Sequence, residues 1–115
     1  MGQTHSYFFM RRGIMTVSYN EDRGKLEIEL FGELGHHEAI EAIDNIAALY
    51  ECIMPVELII DMSGISFMDS SGIAVVMRTK RLCDTDGVAM AVKNAPRQAL
   101  KVLSAAGITK LVSFI

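Results

Sequence analysis

Short β-prone runs alternate with helix-length segments along this chain, and that alternation restricts the fold more than any other feature. Residues 25–31, KLEIELF, set Leu26, Ile28 and Leu30 against Lys25, Glu27 and Glu29. A repeat of two marks a strand with one wet face. Residues 15–19 are also β-prone, and the NEDRG that follows predicts a hairpin turn around Asn20–Gly24. VELIIDM at 56–62 and VAMAV at 88–92 are short and mostly apolar, as buried central strands are. Between these runs lie three segments of helical character. The first is predicted from about His37 to Cys52, with Ile40, Ile43, Ala47 and Tyr50 as its apolar stripe and Pro55 closing the segment. The second runs from about Ser70 to Cys83, with Ile73, Val76, Met77 and Lys80 on one stripe, after a loop at SGISF. The third starts at Asn94-Ala-Pro96, with Pro96 near the first helical position, Leu100, Leu103 and Ala106 facing the core and Gly107 as C-cap. Residues 111–115 suit a last short strand. Strands alternating with helices specify an α/β domain with a mixed β-sheet of four to five strands covered by helices.

At 115 residues and half hydrophobic, the chain has the size and apolar content of one domain with one small core. No apolar run reaches the length of a membrane span. Cys52 and Cys83 form no C-x-x-C pair, and two cysteines are too few for a disulfide framework, so they read as small apolar residues in a reducing compartment. A net charge of −3 excludes a strongly basic nucleic-acid binder. Its distribution is uneven. From Leu26 to Met77 there are ten acids and no Lys or Arg, whereas residues 78–115 hold seven bases and two acids. Solvated faces account for such a pattern, and so does an acidic docking surface for a basic partner.

Residues 1–14, MGQTHSYFFMRRGI, fit the pattern poorly. The basic pair follows the apolar run instead of preceding it, so this is no secretory signal. MGQTHS matches a loose myristoylation pattern, but one lipid chain anchors weakly. The expectation is a flexible N-terminal extension, or an upstream start with Met15 the true one, followed by the domain at 15–115.

FMDSSGIAVV, residues 67–76, interrupts an apolar stretch with Asp69, Ser70, Ser71 and Gly72. Asp69 suits a helix N-cap, and Met68 and Ile73 then occupy the positions of a hydrophobic staple. That reading leaves two serines and a glycine unexplained. A nucleophile elbow requires G-x-S-x-G, which neither serine satisfies. There is no phosphate-binding glycine loop of either standard kind. His36, His37 and Glu38 are consecutive, and consecutive helical residues diverge too far to chelate one metal. A serine at an exposed helix start, by contrast, is open to a kinase, and a phosphate there adds about −1.5 to −2 charge.

Three stretches carry a family resemblance: GELGHHEA at 32–39, IIDMSGISFMDSSGIAVV at 59–76 and PRQALKVLSAAGI at 96–108. With them the chain, from about Met15 to Ile115, resembles the anti-sigma factor antagonists of the STAS family, of the sporulation type. The resemblance implies a STAS fold with helices mainly on one sheet face. It implies a bacterial, cytoplasmic regulator of transcription that is no enzyme and has no catalytic residue, metal or cofactor. Ser70 would be the phosphorylation site, with Asp69, Ser71 and Gly72 as its neighbours. Glu33, Gly35, His36, His37, Asp61 and Ile73 would bind the partner. That partner would be an anti-sigma factor that is an ATP-using serine kinase. The unmodified chain would bind it and free a sigma factor, phosphorylation would release it, and a serine phosphatase would reset the switch, with no direct contact to nucleic acid or membrane. The alternative within the resemblance is a subunit of a stress-signalling assembly or another partner-switching regulator. The chain departs from the family at Gly35, where Asp is frequent.

Overall fold

A computed structural model describes residues 5–11 and 15–115, with side chains from Val17 onward. Six strands form one sheet in the order of the chain, β1 (His5–Arg11), β2 (Met15–Asp22), β3 (Lys25–Leu34), β4 (Glu57–Met68), β5 (Ala89–Lys93) and β6 (Ser113–Phe114). The first two pairings are antiparallel and the last three parallel. The mixed sheet was expected. The strand beyond the expected four to five is β1, in the segment assigned to the extension. The hairpin turn between β2 and β3 contracts to Arg23 and Gly24, both at positive φ, as a two-residue turn that matches strand twist demands.

Three parallel connections require crossovers, and helices α1 (His36–Ile53), α2 (Ser71–Asp86) and α3 (Arg97–Ala105) supply them. Leu26, Ile28 and Leu30 of β3 and Leu58 and Ile60 of β4 are completely buried, and they share one core with Ala42 and Ile46 of α1, Val75 and Val76 of α2 and Leu103 of α3. Each such large side chain contributes roughly 1.5–3 kcal/mol on burial. The opposite sheet face carries Glu27, Glu29, Asp61 and Lys93. Helices therefore pack mainly on one face, as a STAS fold requires.

The structure corrects several local expectations. SGISF is no loop, because β4 continues through it to Met68. Gly64 pairs with Phe31 across the ladder, and a Cβ there would collide with the Phe31 ring, so the glycine is a packing device within the strand and no breaker. In α1 the face on the sheet is Ala39, Ala42, Ile46 and Leu49, whereas Ile40 is 48% exposed and Ile43 and Ala47 are half-buried. The helix has two apolar stripes, and the predicted one turns toward α2 and solvent. In α3, Ala99 and Leu103 face inward, Leu100 is 38% exposed and Ala106 is exposed. Pro96 sits at the N-cap, one position before the helix, and Gly107 adopts φ 78° just after it. The last strand shrinks to two residues because Ile108–Lys110 form a 3-10 turn.

Helices α1 and α2 run side by side, both starting at the C-terminal edge of the sheet. The Tyr50 hydroxyl donates to Asp86 Oδ2 at 2.6 Å and to the Leu82 carbonyl at 3.2 Å, tying their lower ends. Burial, then the bond and charge of Asp86, push the Tyr50 pKa up to about 12. Burial likewise pushes the Cys83 thiol up to about 11, with the Asp84 charge adding to it.

Candidate functional site

The site is made where two parallel strands end together. Glu33 pairs with Phe67 and Leu34 with Met68 in the β3–β4 ladder. The segments that leave these strands, Gly35-His36-His37 and Asp69-Ser70-Ser71, therefore emerge side by side. The Asp69 amide donates to the Leu34 carbonyl at 3.2 Å and ties the two exits.

Asp69 holds the start of α2, one residue earlier than a cap. The N-cap is Ser70, in helical conformation and without a side-chain capping bond. Asp69 Oδ1 accepts from the Ser71 amide at 2.7 Å, and its carbonyl accepts from Gly72 at 3.1 Å. Ile73 donates to the Ser70 carbonyl at 3.1 Å. The predicted carboxylate-to-backbone bond thus forms, with the helix boundary shifted to Ser71–Asp86. Ser70 itself is exposed, and among the described residues its hydroxyl has no hydrogen-bond partner.

Gly72 is fixed by packing. A Cβ there would lie 2.5 Å from both Cγ and Sδ of Met68, which is completely buried. Met68 seals the core under the first turn of α2, and only glycine lets the helix come that close. Gly35 is different. Its φ of −98° suits any residue, but a Cβ would stand 2.8 Å from Glu38 Oε1 and 3.6 Å from Asp69 Oδ2. Glu38 Oε1 accepts from the Gly35 amide at 3.0 Å, the one half of a capping box open to glycine.

His36 and His37 are exposed at the start of α1, their rings edge to face at 5.6 Å. Glu33 is exposed, and Ile73 is half-buried in the first turn of α2. Asp61 is not at this site. Six residues of β4 lie between it and Met68, on the order of 20 Å of strand. It is buried on the far sheet face beside Lys93, Oδ1 accepting from the Ser63 amide at 2.9 Å. Lys93 Nζ lies 3.1 Å from Glu27 Oε2, and that carboxylate raises the Lys93 pKa.

Two further residues belong to the site. Phe67 is 49% exposed beside Glu33, an apolar surface at the rim. Gln98 of α3 clamps the end of β4, with both amide atoms on the Met68 peptide. Phe67 was hidden by reading SGISF as loop. A glutamine bonded across thirty positions of chain leaves no sequence signal. Among the described residues no three His, Cys, Asp or Glu side chains are placed to hold a metal, and no helix is long and apolar enough to cross a membrane.

A family model described as the STAS domain matches residues 16–115. The chain belongs to the STAS family. This STAS domain is 26% identical over 101 residues to an anti-sigma F factor antagonist of Paenibacillus polymyxa, covering 85% of this chain and 84% of that protein. Its fold matches the crystal structure of an anti-sigma factor antagonist from Mycobacterium paratuberculosis with a TM-score of 0.80, at 18% identity over 92% of this chain and 89% of that one. It also matches the phosphorylated form of the Bacillus cell fate determinant SpoIIAA with a TM-score of 0.64, at 22% identity over 96% and 91% of the two chains.

Proposed function

We propose that this STAS domain is a cytoplasmic bacterial anti-sigma factor antagonist, working as a phosphorylation switch and not as an enzyme. The unmodified form binds an anti-sigma factor that is an ATP-using serine kinase, and a sigma factor is freed. Phosphorylation of Ser70 releases the partner, and a serine phosphatase restores the binding form. Glu33, Phe67, His36 and His37 form the docking rim around Ser70, with Gly35, Asp69, Ser71, Gly72 and Ile73 shaping it.

The observation that carries this reading is the state of Ser70. Its hydroxyl is exposed and unengaged, at the start of a helix whose backbone is locked by Asp69, Met68 and Gln98. A nucleophile needs a base in contact. The adjacent Asp69 carboxylate accepts from the Ser71 amide, and among the described residues neither a carboxylate nor a histidine bonds to the Ser70 hydroxyl. A kinase substrate needs only the exposed hydroxyl. The names of the Paenibacillus and Mycobacterium relatives point the same way, and the Bacillus relative exists in a phosphorylated form.

The physics of the switch follows from the first turn of α2. Helix dipole favours a phosphate at Ser70, but the amides of Ser71, Gly72 and Ile73 already have acceptors. The added charge therefore stays at the surface, close to Asp69, and the fold has no reason to change. Like charges opposed across an interface cost several kcal/mol, and about 1.4 kcal/mol is tenfold in affinity. Mass spectrometry of the protein from its native host tests the reading. Trypsin cutting after Lys25 and Arg78 releases a peptide that contains Ser70. Phosphate on Ser70 is expected, and its absence across growth and stress conditions would overturn the switch.

A further inference from the structure

We propose that the outward face of α1 and α2 is a self-association surface whose occupant is a second copy of this chain. Between the helices runs a groove of about 310 Å³ lined by Ile43, Ala47, Leu82, Arg78, Arg81 and Thr85. Its floor is apolar, and Ile40 extends the apolar strip upward with nearly half its surface in water. The rims carry opposite charge. On α1 the outward residue at this level is Asp44, and on α2 it is Arg78 and Arg81, all exposed. Among the described residues none of the three has an ion-pair partner, whereas Lys80 is spent on Asp84 at 2.6 Å.

The two helices are level with each other. They start together at one sheet edge, Ile43 and Ala47 face Arg78 and Leu82 across the groove, and Tyr50 meets Asp86 further down. Asp44 therefore stands at the height of Arg78 and Arg81. A two-fold axis parallel to the helices lays α1 of one copy on α2 of the other and brings each Asp44 onto the partner's guanidinium pair. Two-fold interfaces need such a self-complementary patch, and the opposite charges of the two halves of the chain provide it. An unrelated acidic partner would satisfy the arginines but leave Asp44 facing like charge. Two helices of this length present about 24 Å by 20 Å, or roughly 1,000 Å² over both copies, the lower end for a specific interface. The dimer is thus weak and salt-sensitive. Both Ser70 residues lie at its same open end, so it requires nothing of the switch proposed above and stands or falls separately.

The test is sedimentation equilibrium of the full chain from ~10 to ~500 µM, where weak complexes dissociate. Wild type should dimerise, and about 0.5 M salt should weaken it roughly tenfold, since exposed charges are then screened within a few ångströms. Asp44→Lys alone and Arg78→Glu/Arg81→Glu together should each give monomers with unchanged circular dichroism. An equimolar mixture of the two should dimerise again, because each lysine then meets the glutamates and each remaining Asp44 the arginines. Wild type monomeric at every concentration, dimerisation surviving in either variant, or a mixture that stays monomeric would each overturn the proposal.

Discussion

The side-chain amide of Gln98 forms a closed two-bond ring with the Met68 peptide: the Met68 amide donates to Oε1 at 2.8 Å and Nε2 donates to the Met68 carbonyl at 2.7 Å. β5 pairs with β4 only as far as Asp61, so beyond that point β4 has no strand on this side to satisfy it. Gln98 takes that place at the residue before the DSSG turn. Removing it leaves two half-buried peptide groups unpaired, at about 1–3 kcal/mol. Gln98→Ala should lower the urea midpoint accordingly. Gln98→Glu should do worse at neutral pH, since a carboxylate cannot donate to the carbonyl, and recover in acid. An unchanged midpoint in Gln98→Ala means that the clamp is unimportant.

Gly72→Ala sets two effects against each other. Alanine is favoured over glycine inside a helix by about 1 kcal/mol. Here the new methyl meets a buried Met68 at 2.5 Å, and overpacking costs about 1–3 kcal/mol. The clash should win, with net destabilisation. Adding Met68→Ala should cancel part of the loss, so a double-mutant cycle in urea should show coupling between the sites. Strict additivity would mean that the two side chains do not compete for one space.

The departure at Gly35 is also testable. Its backbone accepts a side chain, so Gly35→Asp should fold. The new carboxylate would enter beside Glu38 and Asp69. Gly35→Asn has the same shape without the charge. At pH 7 the Asp variant should be less stable than the Asn variant by up to about 1 kcal/mol, the scale of exposed charge pairs. The gap should narrow in salt and close below about pH 4, where carboxylates protonate. A gap that ignores both salt and pH removes charge from the explanation.

These positions also show what the sequence could and could not convey. Strand β3 was legible because its period of two records directly which face is wet. The tail of β4 was not, since Ser63, Gly64 and Ser66 imitate a loop until Phe31 is seen lying over Gly64. The stripe of α1 was misplaced because the helix meets both a sheet and a neighbouring helix, and either surface calls for apolar residues. At the site, the DSSG stretch announced a special helix start, and Asp69 behaves as its chemistry suggests. That Gly72 answers to Met68, and that Asp61 lies beside Lys93 on the far face, depends on register, which spacing alone does not fix.

At alkaline pH the α1–α2 packing should weaken. Tyr50 and Cys83 both have folded pKa values above their ordinary ones of 10.0 and 9.0. The folded state keeps these protons where the unfolded chain releases them, so stability is full below pH 9 and falls as pH rises to about 11 and 12. Tyr50→Phe should lose stability near neutral pH, since Asp86 loses its donor, yet fall less steeply above pH 10. Urea midpoints from pH 8 upward decide it, and parallel curves for the two proteins would rule Tyr50 out as the titrating group.

Ser70→Asp and Ser70→Ala separate charge from shape at the proposed switch. Neither substitution touches a hydrogen bond of the Ser70 side chain, since among the described residues that hydroxyl makes none, so both proteins should melt with wild type. Their binding should differ. With the cognate anti-sigma factor as ligand in calorimetry, Ser70→Ala should bind like wild type. Ser70→Asp should bind at least about tenfold more weakly, the equivalent of ~1.4 kcal/mol, and aspartate carries less charge than phosphate, so this is a lower bound for the modified protein. Equal binding by both variants would exclude charge repulsion as the release mechanism. Equal weakening would instead assign the serine hydroxyl a direct contact with the partner. Only the asymmetric result fits a surface phosphate that the first turn of α2 has no free amides to absorb.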